Sequence, residues 1–267
     1  MCAYFGYSRS GYYKSLEVKA SVAFREDLII KLVQDVRRYQ PKIGGKKLYR
    51  LLTEDLEKLG DIGRDRFFDI LRKAGLLVKR KKKYVKTTDS YHRFHKYKNK
   101  LKGRLLTRPN QAIVSDITYL RTRQDGFVYL FLQTDAYSRK ITGWDVSESL
   151  GIEGAVRALK MTLKQCPDSK GVIHHSDRGI QYCCKKYAGL LQKHKMEISM
   201  TEENHCYENA IAERVNGILK QEFLLDENFE NKTMAIKAVR EAIESYNNRR
   251  PHWSLNLCTP QQIHQAA

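Results

Sequence analysis

Three acidic residues have the chemistry and spacing to share divalent cations: Asp116, Asp177 and Glu213. Asp116 lies inside the apolar, β-prone run Ile113-Val114-Ser115-Asp116-Ile117-Thr118-Tyr119-Leu120, and Asp177 ends a second such run that begins at Gly171. Glu213 follows Asp177 by 36 positions, in a segment that reads as a helix. A carboxylate in the middle of an apolar strand is costly unless a cation or a hydrogen bond compensates it. Ser115 and Thr118 are weak partners for Asp116, so a metal is the better account. Magnesium takes hard oxygen ligands and keeps several of its waters, so a few carboxylates suffice. Two such ions roughly 3.5–4 Å apart can activate a nucleophile and stabilise the leaving oxygen of a phosphodiester. The pattern therefore points to metal-dependent phosphodiester chemistry.

The elements around these acids follow from periodicity. Glu213, Asn216, Gly217 and Lys220 fall on one helix face, which leaves Ile211, Ala212, Val215, Ile218 and Leu219 to pack on a sheet. Glu213 would then face a metal and Lys220 a phosphate, although a solvated Glu–Lys face fits the spacing equally well. Asp135 reads as a turn-ordering residue, Asp125 and Asp145 as turn and strand-edge residues, and His174 and His175 as packed strand histidines. Cys206 has no His/Asn arrangement to make it a nucleophile.

Charge names the class of partner. The 267 residues hold 49 Lys and Arg against 30 acids, a net charge of +19. Such an excess calls for a polyanion, nucleic acid before an anionic membrane surface. Residues 79–108 concentrate thirteen cations against the single acid Asp89, interleaved with Tyr84, Tyr91, Phe94 and Tyr97. This segment reads as a linker lying along phosphates, with Lys79, Arg80, Lys81, Lys82 and Lys83 as its first contacts. The six cysteines include no CxxC pair, and His92 with His95 lacks two further ligands, so neither a disulfide framework nor a zinc site is expected. No apolar run is long enough to cross a bilayer and the N-terminus has no signal core, so a cytoplasmic protein with no membrane partner is expected.

Residues 21–78 read as helical. One stripe comprises Ile29, Leu32, Val33 and Val36; a second runs from Leu48 to Leu59 and ends at Gly60; a third holds Phe67, Ile70, Leu71 and Ala74. Short amphipathic helices with tight turns suit a helix-turn-helix bundle over residues 1–78, followed by the basic linker at 79–109. From 110 to 267 the pattern becomes α/β. Strands are expected at 112–122, 127–135 and 140–147, a helix at 151–165, a strand at 171–177, a helix at about 184–195 and a short strand at 197–201. Helices follow at 210–223 and 233–247. This describes a mixed five-stranded sheet with flanking helices.

The motifs also carry a resemblance. His174-His175-Ser176-Asp177-Arg178-Gly179-Ile180-Gln181-Tyr182, the run from Asn110 to Tyr119, the run from Cys206 to Glu222, and Tyr246-Asn247-Asn248-Arg249-Arg250-Pro251-His252 with Thr259-Pro260 resemble the OrfB-type transposases of the insertion-sequence-three family. Thirty-five residues separate Asp177 from Glu213, and Lys220 stands seven after Glu213, as in that family. The resemblance implies an RNase H-like integrase core with a DDE triad of Asp116, Asp177 and Glu213 holding two Mg²⁺ (or Mn²⁺) ions. It implies cleavage and strand transfer of double-stranded DNA at element terminal inverted repeats and target sites. Lys220, Arg214, Asn209 and Asn216 would touch DNA. It further implies a nucleoid-associated homo-oligomer on DNA and an upstream-frame partner protein or fusion. Two alternatives stay open: a metal nuclease that cuts without joining, and a catalytically silent DNA-binding regulator.

Overall fold

The computed structural model describes residues 4, 6, 8–60, 62–78, 95–202 and 209–266. Candidate contacts Lys79 to Lys83, and His92, Cys206 and Glu208, lie outside the described residues. The chain folds as two compact units that divide after Lys81.

The first unit is all-helical. Helix α1 (Arg9–Tyr39) begins at Ser8, whose hydroxyl accepts from Gly11 N–H at 3.0 Å; α2 spans Gly45–Leu51, α3 Thr53–Lys58 and α4 Arg64–Lys73. Its core is the set of stripes read from sequence: Ile29, Val33, Leu48, Leu52, Leu56, Phe67, Ile70 and Leu71. Two features differ from the sequence reading. Helix α1 starts twelve residues earlier than expected, because residues 9–25 are exposed and carry no buried stripe to announce them. The second stripe is two helices, broken at Leu52 (φ −97°, ψ 8°). Gly75, at φ +66°, ends α4 and lets Leu76 N–H return to Leu71 C=O at 2.8 Å, a left-handed turn that glycine adopts without cost.

In the second unit, β1 (Ala112–Thr122), β2 (Phe127–Asp135) and β3 (Ile141–Ser147) form an antiparallel meander. Strands β4 (Ile173–Ser176) and β5 (Glu197–Met200) add in parallel on the far side of β1, giving the order β3-β2-β1-β4-β5. A sixth strand, β6 (Asn228–Phe229), pairs with Arg121 and Thr122, so the sheet has six strands where five were expected. Two residues are too few to show a period of two, and only their partner on β1 makes them a strand. The helices are α5 (Ile152–Gln165), α6 (Ile180–Cys183), α7 (Lys185–Lys193), α8 (Ala210–Glu222), α9 (Lys232–Asn248) and α10 (Pro260–Gln265).

Alternation along the strands builds a core on each face. Leu130 and Leu132 point to Val215, Leu219, Val239 and Ile243 of α8 and α9; Phe131 between them points to Ala155, Leu159 and Leu191 of α5 and α7. Helix α5 rides close to the sheet because Gly143 and Gly154 present no Cβ: one would strike Ala158 C=O, and the other the Phe131 ring. Burial on both faces contributes about 25 cal/mol per Å² of apolar area, which makes this sheet a rigid platform for its strand ends. Residues 95–109 belong to this platform: Tyr97 packs with the α5/α7 core, Leu101 and Leu106 pack by Ala112 and Ile173, and Lys100 N–H donates to Ser199 Oγ at 2.8 Å.

Candidate active site at the carboxyl end of the parallel strands

Register brings the two aspartates together. Ser115 of β1 pairs with Ser176 of β4 in parallel, and Asp116 and Asp177 are the next residues on each chain. Neighbouring strands lie about 4.8 Å apart, so Asp116, still within β1, and Asp177, the residue that follows β4, stand side by side. Asp177 is held by its own turn, where Oδ1 accepts from Gly179 N–H at 3.0 Å. A Cβ on Gly179 would meet that same oxygen at 3.0 Å, so the glycine of Asp177-Arg178-Gly179 keeps the turn tight. Arg178 turns away, its Nε donating to Thr201 C=O at 2.7 Å.

Helix α8 is tied to β1 by two amides. Asn209 Nδ2 donates to Ser115 C=O at 3.1 Å, and Asn216 Nδ2 donates to Asp116 Oδ2 at 2.7 Å. Glu213 stands one turn before Asn216 in the first turn of α8, exposed. The sequence reading set Asn209 and Asn216 toward DNA. In the structure both are buried, 3% and 7% exposed, with their amide donors turned to β1, as buried polar groups take hydrogen-bond partners. Asp116 Oδ1 also accepts from Ile117 N–H at 2.9 Å.

The electrostatics match this placement. Burial first, then the charge of Asp177, raises the Asp116 carboxyl from 3.8 to about 7; Asn216 and Ile117 N–H oppose the rise, and Glu213 adds to it. Burial and Asp177 likewise raise the Glu213 carboxyl. Three acids therefore bear on one another, although among the described residues no three His, Cys, Asp or Glu side chains sit close enough as placed to enclose a metal. Lys220 is half-buried with Nζ 4.2 Å from the Tyr119 ring centroid, and Asp116 is the largest of the charges that favour its protonated form against burial. Arg214 is exposed on α8.

Below the acids lies a closed polar layer. His174 Nε2 is 2.7 Å from Ser115 Oγ and 2.9 Å from Tyr187 OH, while Gln133 completes the ring with bonds of 2.6 Å to Ser115 and 3.0 Å to Tyr187. Burial, with His175 beside it, lowers His174 to about 3, so it is neutral and structural. Asp135 is an internal turn anchor, accepting from Ser138 N–H and Oγ at 2.7 Å and from Asn110 N–H at 2.7 Å. Asp125 Oδ2 caps Lys232 N–H at 2.6 Å, and Asp145 receives both forks of Arg157 at 2.8 Å.

The closing motif had no role from sequence. Arg250, only 2% exposed, grips Glu222 at the end of α8 with bonds of 2.9 and 2.7 Å. Asn247 pairs with both backbone groups of Ile141 at 2.9 Å, and Tyr246 OH donates to Arg139 C=O at 3.1 Å. An Arg-Arg-Pro-His run signals charge in sequence; nothing local says that its second arginine is interior.

Two integrase core domain families match the chain, at residues 107–206 and 194–260. The 31-kDa protein of insertion element IS600 from Shigella sonnei is 36% identical over 275 residues, with both chains covered in full. Transposase InsF of insertion sequence IS3A from Escherichia coli K12 is 30% identical over 270 residues, spanning 98% of this chain and 92% of InsF. The chain belongs to the IS3 family of insertion-sequence transposases. The transposase also shares its fold with the simian T-cell lymphotropic virus intasome solved with PP2A subunit B56 gamma: TM-score 0.52 at 15% identity, over 84% of this chain and 75% of that one. The mixed sheet and its helices are thus an RNase H-like integrase core that follows an all-helical amino-terminal unit in the chain. No described helix is long and apolar enough to cross a membrane.

Proposed function

We propose that Asp116, Asp177 and Glu213 are the catalytic triad of this transposase and hold its two divalent cations, Mg²⁺ or Mn²⁺. The observation that carries the reading is the Ser115–Ser176 register with the Asn216–Asp116 bond, which brings two aspartates and α8 together beside the carboxyl end of β4. The donor set fits hard cations: carboxylate oxygens only, half-buried to exposed, and raising one another's proton affinity. Bringing like charges together costs free energy that a divalent cation reverses. When bound, the ions would supply Lewis-acid stabilisation of the phosphodiester and a nucleophile at neutral pH.

The chain's own residues do the rest. Asn216 fixes the orientation of Asp116 and Asn209 fixes the approach of α8, so these two position the site from inside. Lys220, parked over Tyr119 beside Asp116, is placed to exchange the ring for a DNA phosphate, and exposed Arg214 can reach the backbone on the same helix. The substrates are double-stranded DNA of the element's terminal inverted repeats and of the target. Water cuts the end and the freed 3′-hydroxyl then attacks target DNA, with no covalent protein–DNA link. Joining two ends calls for two or more chains on DNA, with the upstream-frame partner or fusion supplying end recognition.

The test is joining of a pre-cut element end to plasmid DNA in Mg²⁺. Wild type should yield joined product and Asp177→Asn none. Equal product from both would refute the triad, and cutting without joining would reduce the activity to that of a nuclease.

A further inference from the structure

A second polar feature lies at the opposite end of the parallel strands. There the chain entering β1 and the loop entering β4 enclose a cavity of about 330 Å³, rimmed by Arg104, Arg108 and Lys170. All three cations are exposed, and among the described residues none has an ion pair. Local structure sets the Arg108 backbone on the rim. Gln111 Oε1 accepts from Thr107 N–H at 2.7 Å and Arg108 N–H at 3.1 Å, curling the chain so that Arg108 bears on Cys166 across the cavity. Asp168, the one acid of the lining, has Oδ1 3.4 Å from Lys170 N–H and its carbonyl 3.4 Å from the Cys166 thiol. The rim keeps a net positive charge. By contrast Lys100 and Lys102, earlier on the same strap, are paired with Glu197 and Glu202.

Two unpaired guanidinium forks and an ammonium around a polar hollow suit a phosphate group, since arginine presents planar paired donors to phosphate oxygens. An apolar ligand would find little to bury against here. Asn110 on the rim and Asp116 are six residues apart along the chain into β1, about 20 Å at 3.3 Å per residue. DNA phosphates repeat about every 3.4 Å along a strand axis, so this is a reach of about six nucleotides.

We propose that Arg104, Arg108 and Lys170 form a second DNA-backbone site, which clamps a phosphodiester about six nucleotides from the one held at the acids. The assignment of that distance rests on the acid end being the cleavage site.

The test uses the full chain and a long random-sequence duplex, with affinity followed by fluorescence anisotropy across a salt series. Replacing all three residues (R104A/R108A/K170A) should flatten the slope of log affinity against log salt by about two to three units. Replacing three exposed cations of α5 and α9 (K160A/K237A/R240A) should flatten it by less than one. Lys170→Gln alone, on an exposed turn, should remove about one unit and guards against misfolding of the triple variant. Equal slopes for the two triple variants on long DNA, or an unchanged slope for the first, would overturn the site. Joining of a pre-cut element end by wild type and by Asp177→Asn is scored separately: equal product would refute the triad, while the slope difference would still report the pocket.

Discussion

Helix α8 carries a glutamate near each end, and the two live under opposite electrostatic rules. At the carboxyl end Glu222 receives the paired donors of a buried arginine, Arg250, at 2.9 and 2.7 Å. At the amino end Glu213 has no ion pair among the described residues, and the charge that acts on it most is another acid, Asp177. A buried charge beside its opposite holds a fold together only while both partners remain. Like charges gathered at a strand end raise one another's proton affinity, which is the signature of a site made to meet something from outside the chain. One end of α8 is fastened so that the other can be aimed.

The strongest challenge to this contrast is to neutralise each end in turn. Asp116→Asn, Asp177→Asn and Glu213→Gln should each lower DNA cleavage at least on the order of 10³-fold, while leaving the melting temperature unchanged or slightly higher as like-charge repulsion is relieved. Arg250→Met should do the reverse in stability, costing about 3–5 kcal/mol in denaturant titration because Glu222 is left without its cation; adding Glu222→Met should recover most of that loss. If Arg250→Met melts like wild type, the fastened end is no anchor.

Proton linkage sharpens the same contrast. Asp116 carries a folded-state carboxyl raised from 3.8 to about 7, by burial first and Asp177 second. Its folded form keeps a proton that the unfolded chain has already released. The contribution is therefore fully present below about pH 4 and is lost as pH rises through about 7. Melting temperature of the magnesium-free chain should decline across that window, Asp116→Asn should flatten the decline, and Mg²⁺ should restore stability above it. Removing the amide in Asn216→Ala deletes a hydrogen bond worth about 1.5–3 kcal/mol to the charged carboxylate, so carboxyl titration by NMR should show Asp116 rising further, with the decline extended to higher pH. The smallest effect belongs to Lys220→Ala, which should weaken DNA binding uniformly and reduce the salt slope by about one unit.

What sequence could show follows from the range of the interactions. Alternation in Ile113 to Leu120 and in Val128 to Leu132, with Gly126 at φ +70° between them, is local, so β1 and β2 were legible. The α8 stripe placed Glu213 and Lys220 on the correct helix for the same reason. The amino-terminal reach of α1, the break at Leu52 and the two-residue β6 carry no periodic signal. Asn209 and Asn216 meet β1 across 94 and 100 positions, so their inward duty emerges only when helix and strand cross. Arg250 had no role from sequence because sequence gives residue type, whereas burial with Glu222 is decided 28 positions away.

The most direct measurement is anomalous X-ray scattering from crystals of the full chain grown with Mn²⁺. Manganese peaks are expected within about 2.0–2.2 Å of carboxylate oxygens of Asp116 and Asp177, with Glu213 completing the set. Manganese bound elsewhere, or bound equally well in crystals of the Asp177→Asn chain, would contradict the triad.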